Sequence, residues 1–212
     1  MSGCPIHHST STDAACSSDT FNPSNNMPSA ETLHKRPTSP DAALLSTARE
    51  PSTIPRSDGG STWQYPSPLM FYNALHRKGK GVPADSVSDL VAIHNQLNEA
   101  VWSEVAEKEK FLAPQCGEPK LKRFMGRPDE LSPTAWWHVR VRGGEAPFDR
   151  HDWVVERCGC EVRYVIDYYS GHDVPGEASF NVDIRPALDS PQACLDRMRL
   201  FWRKHFPDHR TN

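Results

Sequence analysis

His94 is the residue whose setting most demands a chemical explanation. It lies in Ile93 to Trp102, IHNQLNEAVW, within what reads as an amphipathic helix. With successive residues about 100° apart, Val87, Leu90, Val91, Val101 and Val105 fall within about 60° of it, and Leu97 sits at the edge of the same arc. The expectation is a histidine at the centre of a buried stripe, with Asn98 one turn on. Gln96 points away, while Asn95 and Glu99 share a flank where they could meet at i and i+4. An imidazole left there without a partner would cost roughly 1–3 kcal/mol. Two kinds of partner are open: nearby backbone or Asn98, which makes His94 an ordinary core residue, or a metal.

Spacing narrows the choice of metal. No second ligand stands at helical spacing on that face, which suits an isolated zinc ion poorly; an iron already held in a flat apolar macrocycle suits it better, because Val and Leu can pack on the ring while Nε2 ligates. Other chemistry-bearing groups have plainer explanations beside the functional ones. His151-Asp152 in DRHDW has the look of an acid-oriented base, yet such a pair at a strand entry is more often a structural hydrogen bond. His7-His8 resembles a chelator, but a mobile tail holds histidines freely. Arg150, Arg157, Arg163 and Arg185 could bind carboxylates bidentately, although most arginines face solvent or pair with Asp and Glu. Cys158-Gly159-Cys160 falls in what reads as a hairpin turn, where a close pair is more often incidental than a metal or redox site.

Positioning His94 requires a helix, and the helix requires neighbours. From Met1 to about Gly60 the sequence is rich in Ser, Thr, Pro and Asn, with Phe21 its only aromatic residue, and all six Trp lie beyond it. So little apolar surface does not offset roughly 1–2 kcal/mol of ordering entropy per residue, so residues 1–60 are expected to be a disordered arm. It contains two punctuated motifs, GCPIHH and NPSNNMP. Ser67-Pro68 and Gly79 predict a short helix from about Pro68 to Lys78. Ser86 and Asp89 resemble a capping box for a longer one over Val87 to Leu112, ended by Pro114. The period then changes to two. Trp137, Val139 and Val141 alternate with His138, Arg140 and Arg142; WVVER and EVRYVIDYY flank CGC, and SFNVDIR follows. This predicts a small antiparallel sheet of three or four strands. Ser190-Pro191 opens a last helix through about His205, with Cys194, Met198, Phe201 and Trp202 expected toward the sheet. The fold class is α+β: an arm, two helices, the sheet and a closing helix, the folded domain covering residues 61–212.

Composition excludes several classes. At 212 residues, the chain has room for one ordinary domain. Its formal charge of −3 and absence of any Lys/Arg stripe argue against a nucleic-acid partner. No apolar run approaches the roughly 20 residues that a spanning helix needs. No Lys or Arg precedes Lys35, which leaves neither a secretory signal nor an Arg-rich presequence at the start. The six cysteines match neither paired zinc knuckles nor a dense disulfide framework.

The segments WQYPSPLMFYNAL, IHNQLNE, PFDRHDW, ERCG, EVRYVIDYY and DIRPALDS, with CP and NPSNNMP in the arm, resemble the mitochondrial holocytochrome c-type synthases, or cytochrome c haem lyases, over the whole chain. The resemblance implies that residues 61–212 are a haem lyase domain and that His94 of the IHNQ motif is the axial ligand to haem iron. It also implies that Trp63, Tyr65 and Pro66 of WQYP, and Asn95, Asn98 and Glu99 of the same helix as His94, shape the haem site. The thiolate of Cys4-Pro5 is expected to meet haem transiently; CPI here replaces the family's commoner CPV, a small aliphatic change. Further implications are haem b as bound substrate, the N-terminal CxxCH segment of apocytochrome c as partner, a location in the mitochondrial intermembrane space, and peripheral attachment to the inner membrane. The chemistry implied is templating: the enzyme holds haem while two substrate cysteines add to its vinyl groups. A non-enzymatic haem carrier or sensor is the alternative, separated by whether haem becomes acid-stably attached to a co-expressed apocytochrome. An interaction scaffold with a core His94 is a third reading, favoured if the absorbance spectrum of free haem is unchanged by the protein.

Overall fold

Three of the four helices in the described residues begin with the same dipeptide, Ser-Pro. The computed structural model describes residues 21–22, 27–28, 41–171 and 179–206. In order, the helices are α1 (Pro68–Arg77), α2 (Val87–Leu112), α3 (Pro133–Arg142) and α4 (Pro191–His205). The hydroxyls of Ser67, Ser132 and Ser190 accept hydrogen bonds from the backbone N–H of Met70, Ala135 and Ala193, and the prolines take the first turn, where no donor is lost. The expected bounds of α1 and α2 hold, but the expected capping box does not. A 3-10 turn, Ala84–Ser86, leads into α2, and Ser86 makes no side-chain cap bond; its hydroxyl donates to Asp85 instead, at 3.1 Å.

α3 corrects the sequence reading, which placed a strand at Trp137 to Val141. The Ser132-Pro133 start and a left-handed Gly143 (φ 66°) at the end are helix boundary signals, and they prevail over a short apolar alternation. That alternation carried no core signal: Trp136, Trp137 and Val141 all remain exposed. The strand that the reading missed is β5 (Lys120–Gly126), where a register shift between Leu121 and Arg123 breaks the period of two.

β5 joins β6 (Asp149–Arg157), β7 (Cys160–Ser170) and β8 (Phe180–Pro186) in an antiparallel meander of that order. Cys158 (φ 49°) and Gly159 (φ 79°) make the two-residue β6–β7 turn with positive φ at both positions. Cys158 is disulfide-bonded to Cys116, just past the end of α2, so the cysteine reading is corrected as well. The 42-residue separation carries no local sequence signal of pairing. α2 lies across the sheet, burying Val101, Trp102 and Val105 against Leu121, Trp153, Val155, Tyr164, Ile166 and Ile184. A smaller core joins Ala42, Leu45, Leu69, Tyr72, Val87 and Val91.

Residues expected in the arm are thus part of the fold. β3 (Pro51–Pro55) pairs antiparallel with β4 (Thr62–Gln64), Ile54 is in the main core, and Ala42 and Leu45 are in the smaller one. The boundary expected near Gly60 was too late because Ala42, Leu45 and Ile54, few as they are, are buried in the two cores. At the two ends of FNPSNNMP, the two-residue strands β1 (Phe21–Asn22) and β2 (Met27–Pro28) pair antiparallel. Cys4, Pro5, His7 and His8 lie outside the described residues.

α4 is turned away from its expected orientation. Ala193 and Asp196 face inward, while Cys194, Met198, Phe201 and Trp202 are exposed. A buried ion pair fixes this rotation. Arg157 Nη1 donates to Asp196 Oδ2 at 2.5 Å, and its Nε and Nη2 grip Glu109 of α2 at 2.5 and 2.6 Å.

Candidate functional site

The N-terminal half of α2 meets α1, the β3–β4 hairpin and the entry to β6. His94 sits here half-buried, at the edge of the helix's buried face rather than at its centre. The buried line runs through Val91, Asn95, Asn98, Val101, Trp102 and Val105, turned about 40° from His94, while Leu90 and Ile93 are exposed. The expected stripe counted aliphatic residues only. Two buried amides displace it, one of them held because Asn95 Nδ2 donates to Glu50 Oε2 at 3.0 Å.

Two aromatic rings present themselves nearly edge-on to the imidazole, Phe71 at 5.4 Å and Tyr65 at 6.3 Å between centroids. Asn98 Nδ2 donates to the His94 carbonyl at 2.7 Å and lies 3.2 Å from Nε2; Asn95 Oδ1 is 3.5 Å from Nδ1. Burial pushes the His94 pKa below its ordinary 6.5; the Asn95 oxygen opposes this, His151 lowers it further and Asp149 raises it. His94 is therefore a neutral imidazole near pH 7, with a lone pair to offer.

Beside it, Glu99 binds neutral donors only. Its carboxylate accepts from Tyr65 Oη at 2.8 Å, from the Thr53 N–H at 3.0 Å and from the Thr53 hydroxyl. Burial pushes the Glu99 carboxyl up, but these bonds outweigh it and hold the group below the usual carboxylate range. Burial and the Glu99 charge push the Tyr65 phenol up, so it stays protonated and keeps donating. Asn95 and Glu99 do not join each other as expected; each reaches the chain of Glu50 to Thr53 instead.

Of the expected site residues, the structure brings together Tyr65, His94, Asn95, Asn98 and Glu99. Trp63 stands behind them: its Nε1 donates to the Leu121 carbonyl at 3.1 Å, and its ring packs on Phe124 at 5.4 Å. Pro66 links Tyr65 to the Ser67 cap of α1. Cys4 and Pro5 lie outside the described residues. Sequence reasoning missed Glu50 and Thr53, whose Ser/Thr/Pro surroundings gave no periodic signal, and did not single out Phe71. It also paired His151 with the wrong acid. His151 Nε2 lies 3.3 Å from Asp149 Oδ2, while Asp152 is held by Arg150 and Arg163, each at 2.9 Å. All four candidate arginines are committed: Arg157 to Glu109 and Asp196, Arg163 also to Asp189, and Arg185 to Asp167 and Asp183. Next to His151 stands Tyr168, ring centroids 5.2 Å apart; His151 Nδ1 and Tyr168 Oη are buried and find no hydrogen-bond partner among the described residues.

What these groups offer chemically is a neutral imidazole lone pair for an electrophilic centre, flanked by the Tyr65 and Phe71 rings. Among the described residues, no cluster of three or more His, Cys, Asp or Glu could hold a bare metal ion. The profile of the family described as cytochrome c/c1 heme lyase matches residues 1–201. The chain belongs to that family. As a family member it is an enzyme, a haem lyase. The lyase is 43% identical over 209 residues to the holocytochrome c-type synthase of Homo sapiens, covering 94% of this chain and 74% of that protein. It is 42% identical over 235 residues to the holocytochrome-c synthase of Saccharomyces cerevisiae, covering 95% and 86%. A putative holocytochrome-c1 synthase of Schizosaccharomyces pombe is 40% identical over 174 residues, covering 79% and 80%. No solved structure matches the lyase.

Proposed function

We propose that the lyase attaches haem b covalently to the N-terminal CxxCH segment of apocytochrome c, with His94 as the axial ligand on one face of the iron and the histidine of the CxxCH motif on the other. The observation that carries the reading is the neutral, half-buried His94 framed by Tyr65 and Phe71. Each substrate thiol adds across one vinyl group: a C–S bond forms at one vinyl carbon, the thiol proton ends on the other, and no oxidant is consumed. The enzyme supplies position. Orienting the reactants can contribute roughly 7–11 kcal/mol to such a step. Asn98 yields Nε2 to the iron, while Asn95 Oδ1 accepts from Nδ1–H and fixes the ring orientation. Glu99, held by Thr53 and Tyr65, ties the helix to the β3–β4 hairpin, and its negative charge favours a cationic iron. Cys4-Pro5 contributes a transient thiolate contact. The finished cytochrome leaves when its own folding replaces His94 on the iron.

The Cys116–Cys158 disulfide supports a location in an oxidising compartment, for which the intermembrane space is the proposal.

The test is co-expression of His94→Ala with apocytochrome c, reading the haem spectrum and the covalent haem on a denaturing gel. Loss of both is expected, with the helix intact because Ala is the best helix former. Full attachment by a well-folded His94→Ala enzyme would sink the proposal.

A further inference from the structure

The unexpected rotation of α4 leaves an apolar strip facing outward. On a helical wheel, Cys194, Leu195, Phe201 and Trp202 lie within about 60° of Met198. Leu195, Met198, Phe201 and Trp202 are 50–58% exposed, and Leu188 just before the helix is 57% exposed. Together with Arg197, Leu188, Cys194, Met198, Phe201 and Trp202 line a shallow trough. Single exposed apolar residues are ordinary, but a contiguous set of large ones along a whole helix marks a contact surface.

Charge placement selects the partner. Arg197 and Lys204 stand about 100–120° from Met198 on one flank, and Arg199 and Arg203 about 100–140° on the other, so cations frame the strip on both sides. The helix contains one acid, Asp196, which is buried and paired with Arg157 on the opposite side. Of the four cations, Arg203 has a carboxylate partner, Glu107 at 2.7 Å, whereas Arg197 bonds the Thr134 hydroxyl and Arg199 the Leu112 carbonyl. A neighbouring helix extends the same character: Trp137 and Val141 of α3 are exposed, and Arg142 stacks over Trp137 at 4.7 Å. A helix docked by one side, with Trp, Phe, Met and Leu on the other and cations between, matches a helix lying in a bilayer interface, where aromatic rings enter the headgroup boundary and Lys and Arg reach anionic headgroups. No described helix is long and apolar enough to cross a membrane, so the geometry is that of lying on the surface.

The strip is also remote from the chemistry. Arg203 contacts α2 at Glu107 and Phe111, about 20 Å or more along the helix from His94 at 1.5 Å per residue. A substrate segment seated at His94 therefore does not cover it.

Peripheral attachment to a membrane is already what the family resemblance implies; we propose that the surface which makes it is the outer face of α4, centred on Met198, Phe201 and Trp202, docking onto an anionic lipid bilayer. The inference does not rest on the haem reading. The test is co-sedimentation of the full chain with vesicles of phosphatidylcholine alone and of phosphatidylcholine mixed with phosphatidylglycerol. The wild type is expected to sediment with the mixed vesicles, and Phe201→Ser with Trp202→Ser to weaken that binding by about tenfold or more, while the melting temperature stays unchanged because both side chains are solvent-exposed. Arg197→Glu with Lys204→Glu should remove the preference for anionic vesicles. Undiminished sedimentation of the double Ser variant would overturn the proposal, as would a wild type left in the supernatant with both vesicles. So would a smaller sedimentation coefficient of the lipid-free Ser variant, which would make the strip a contact between copies of the chain. Haem attachment by the Ser variant in the absence of vesicles is expected to be normal, and its loss would place the strip in substrate binding instead.

Discussion

Glu99 and Glu109 lie on the same helix and are treated in opposite ways. Glu109 is 3% exposed, and its charge is met by a bidentate guanidinium, Arg157, which also holds Asp196, with the Tyr164 hydroxyl donating beside it at 2.6 Å. Glu99 is reached only by Thr53 and Tyr65, which donate hydrogen bonds without adding positive charge. The C-terminal half of α2 is thus an electrostatically closed joint linking helix, sheet and α4, backed by the Cys116–Cys158 disulfide. The N-terminal half keeps, at Glu99, a negative charge that meets no cation among the described residues and is linked to the neutral His94 imidazole through Tyr65. A cationic centre arriving at His94 gains at that end and would gain nothing at the other. The structural joint and the proposed site are separated along one element.

Arg157→Met is the largest way to break this contrast. It strands two buried carboxylates, Glu109 and Asp196, which costs about 3–5 kcal/mol and should lower the melting temperature by about 10 °C in a chain of this size. The haem spectrum of the protein that remains folded should be unchanged. A thermal melt that barely moves, or a haem spectrum that changes at constant fold, would show that the two ends are not separate.

Cys116→Ser sharpens the same contrast with a smaller effect. Closing a loop of 42 residues restricts the unfolded chain, so opening it should cost about 2–4 kcal/mol. Chemical denaturation of the wild type with and without reductant should reproduce that difference, and the variant should show none. Haem attachment per folded molecule should be retained, because the proposed mechanism takes both bond-forming thiols from the substrate. Loss of attachment by a folded Cys116→Ser enzyme would mean that the joint also shapes the site.

How far the sequence disclosed these two ends follows from the range of the interactions. The bounds of α1 and the β6–β7 hairpin were legible, because a cap, a proline and a two-residue turn act within a few positions; the bounds of α2 were also met, although the capping box read at its start is not formed. α3 was legible too, in the same Ser-Pro signature used for its neighbours, but a short apolar alternation masked it. The rotation of α4 was not, since it depends on Arg157 meeting Asp196 from a strand 39 residues away. At the candidate site, the family motifs singled out Tyr65, His94 and Glu99, which the fold brings together. The partners that orient them were hidden, because Glu50 and Thr53 sit in a stretch whose composition looks unfolded and act over 45 and 46 residues. His151 failed for a different reason: adjacency to Asp152 suggested a pair, but neighbours on a strand point to opposite faces, and His151 meets Asp149 on its own face.

The smallest predicted effect concerns pH, and it tests whether the open end behaves as a neutral-imidazole site. In the proposed haem complex, iron and a proton compete for the His94 lone pair. Burial keeps the folded-state pKa below the ordinary 6.5, with His151 acting in the same direction and Asn95 and Asp149 against it. Haem affinity should therefore be flat above pH 6.5 and begin to fall only below it, by at most about one tenfold step per pH unit, since one proton is displaced. The sign for stability is the same. The unfolded chain takes up a proton near 6.5 while the folded one resists until a lower pH, so the stability associated with a neutral His94 is present above 6.5 and is lost as pH falls through the lowered folded value. Asn98→Ala should leave the affinity midpoint below 6.5, because burial and not that amide lowers the pKa. A haem titration with a midpoint above 6.5 would mean that His94 is held by a negative charge rather than by its apolar surroundings. The contrast between the two ends of α2 would then have to be redrawn with Glu99 and Asp149 as direct partners of the imidazole.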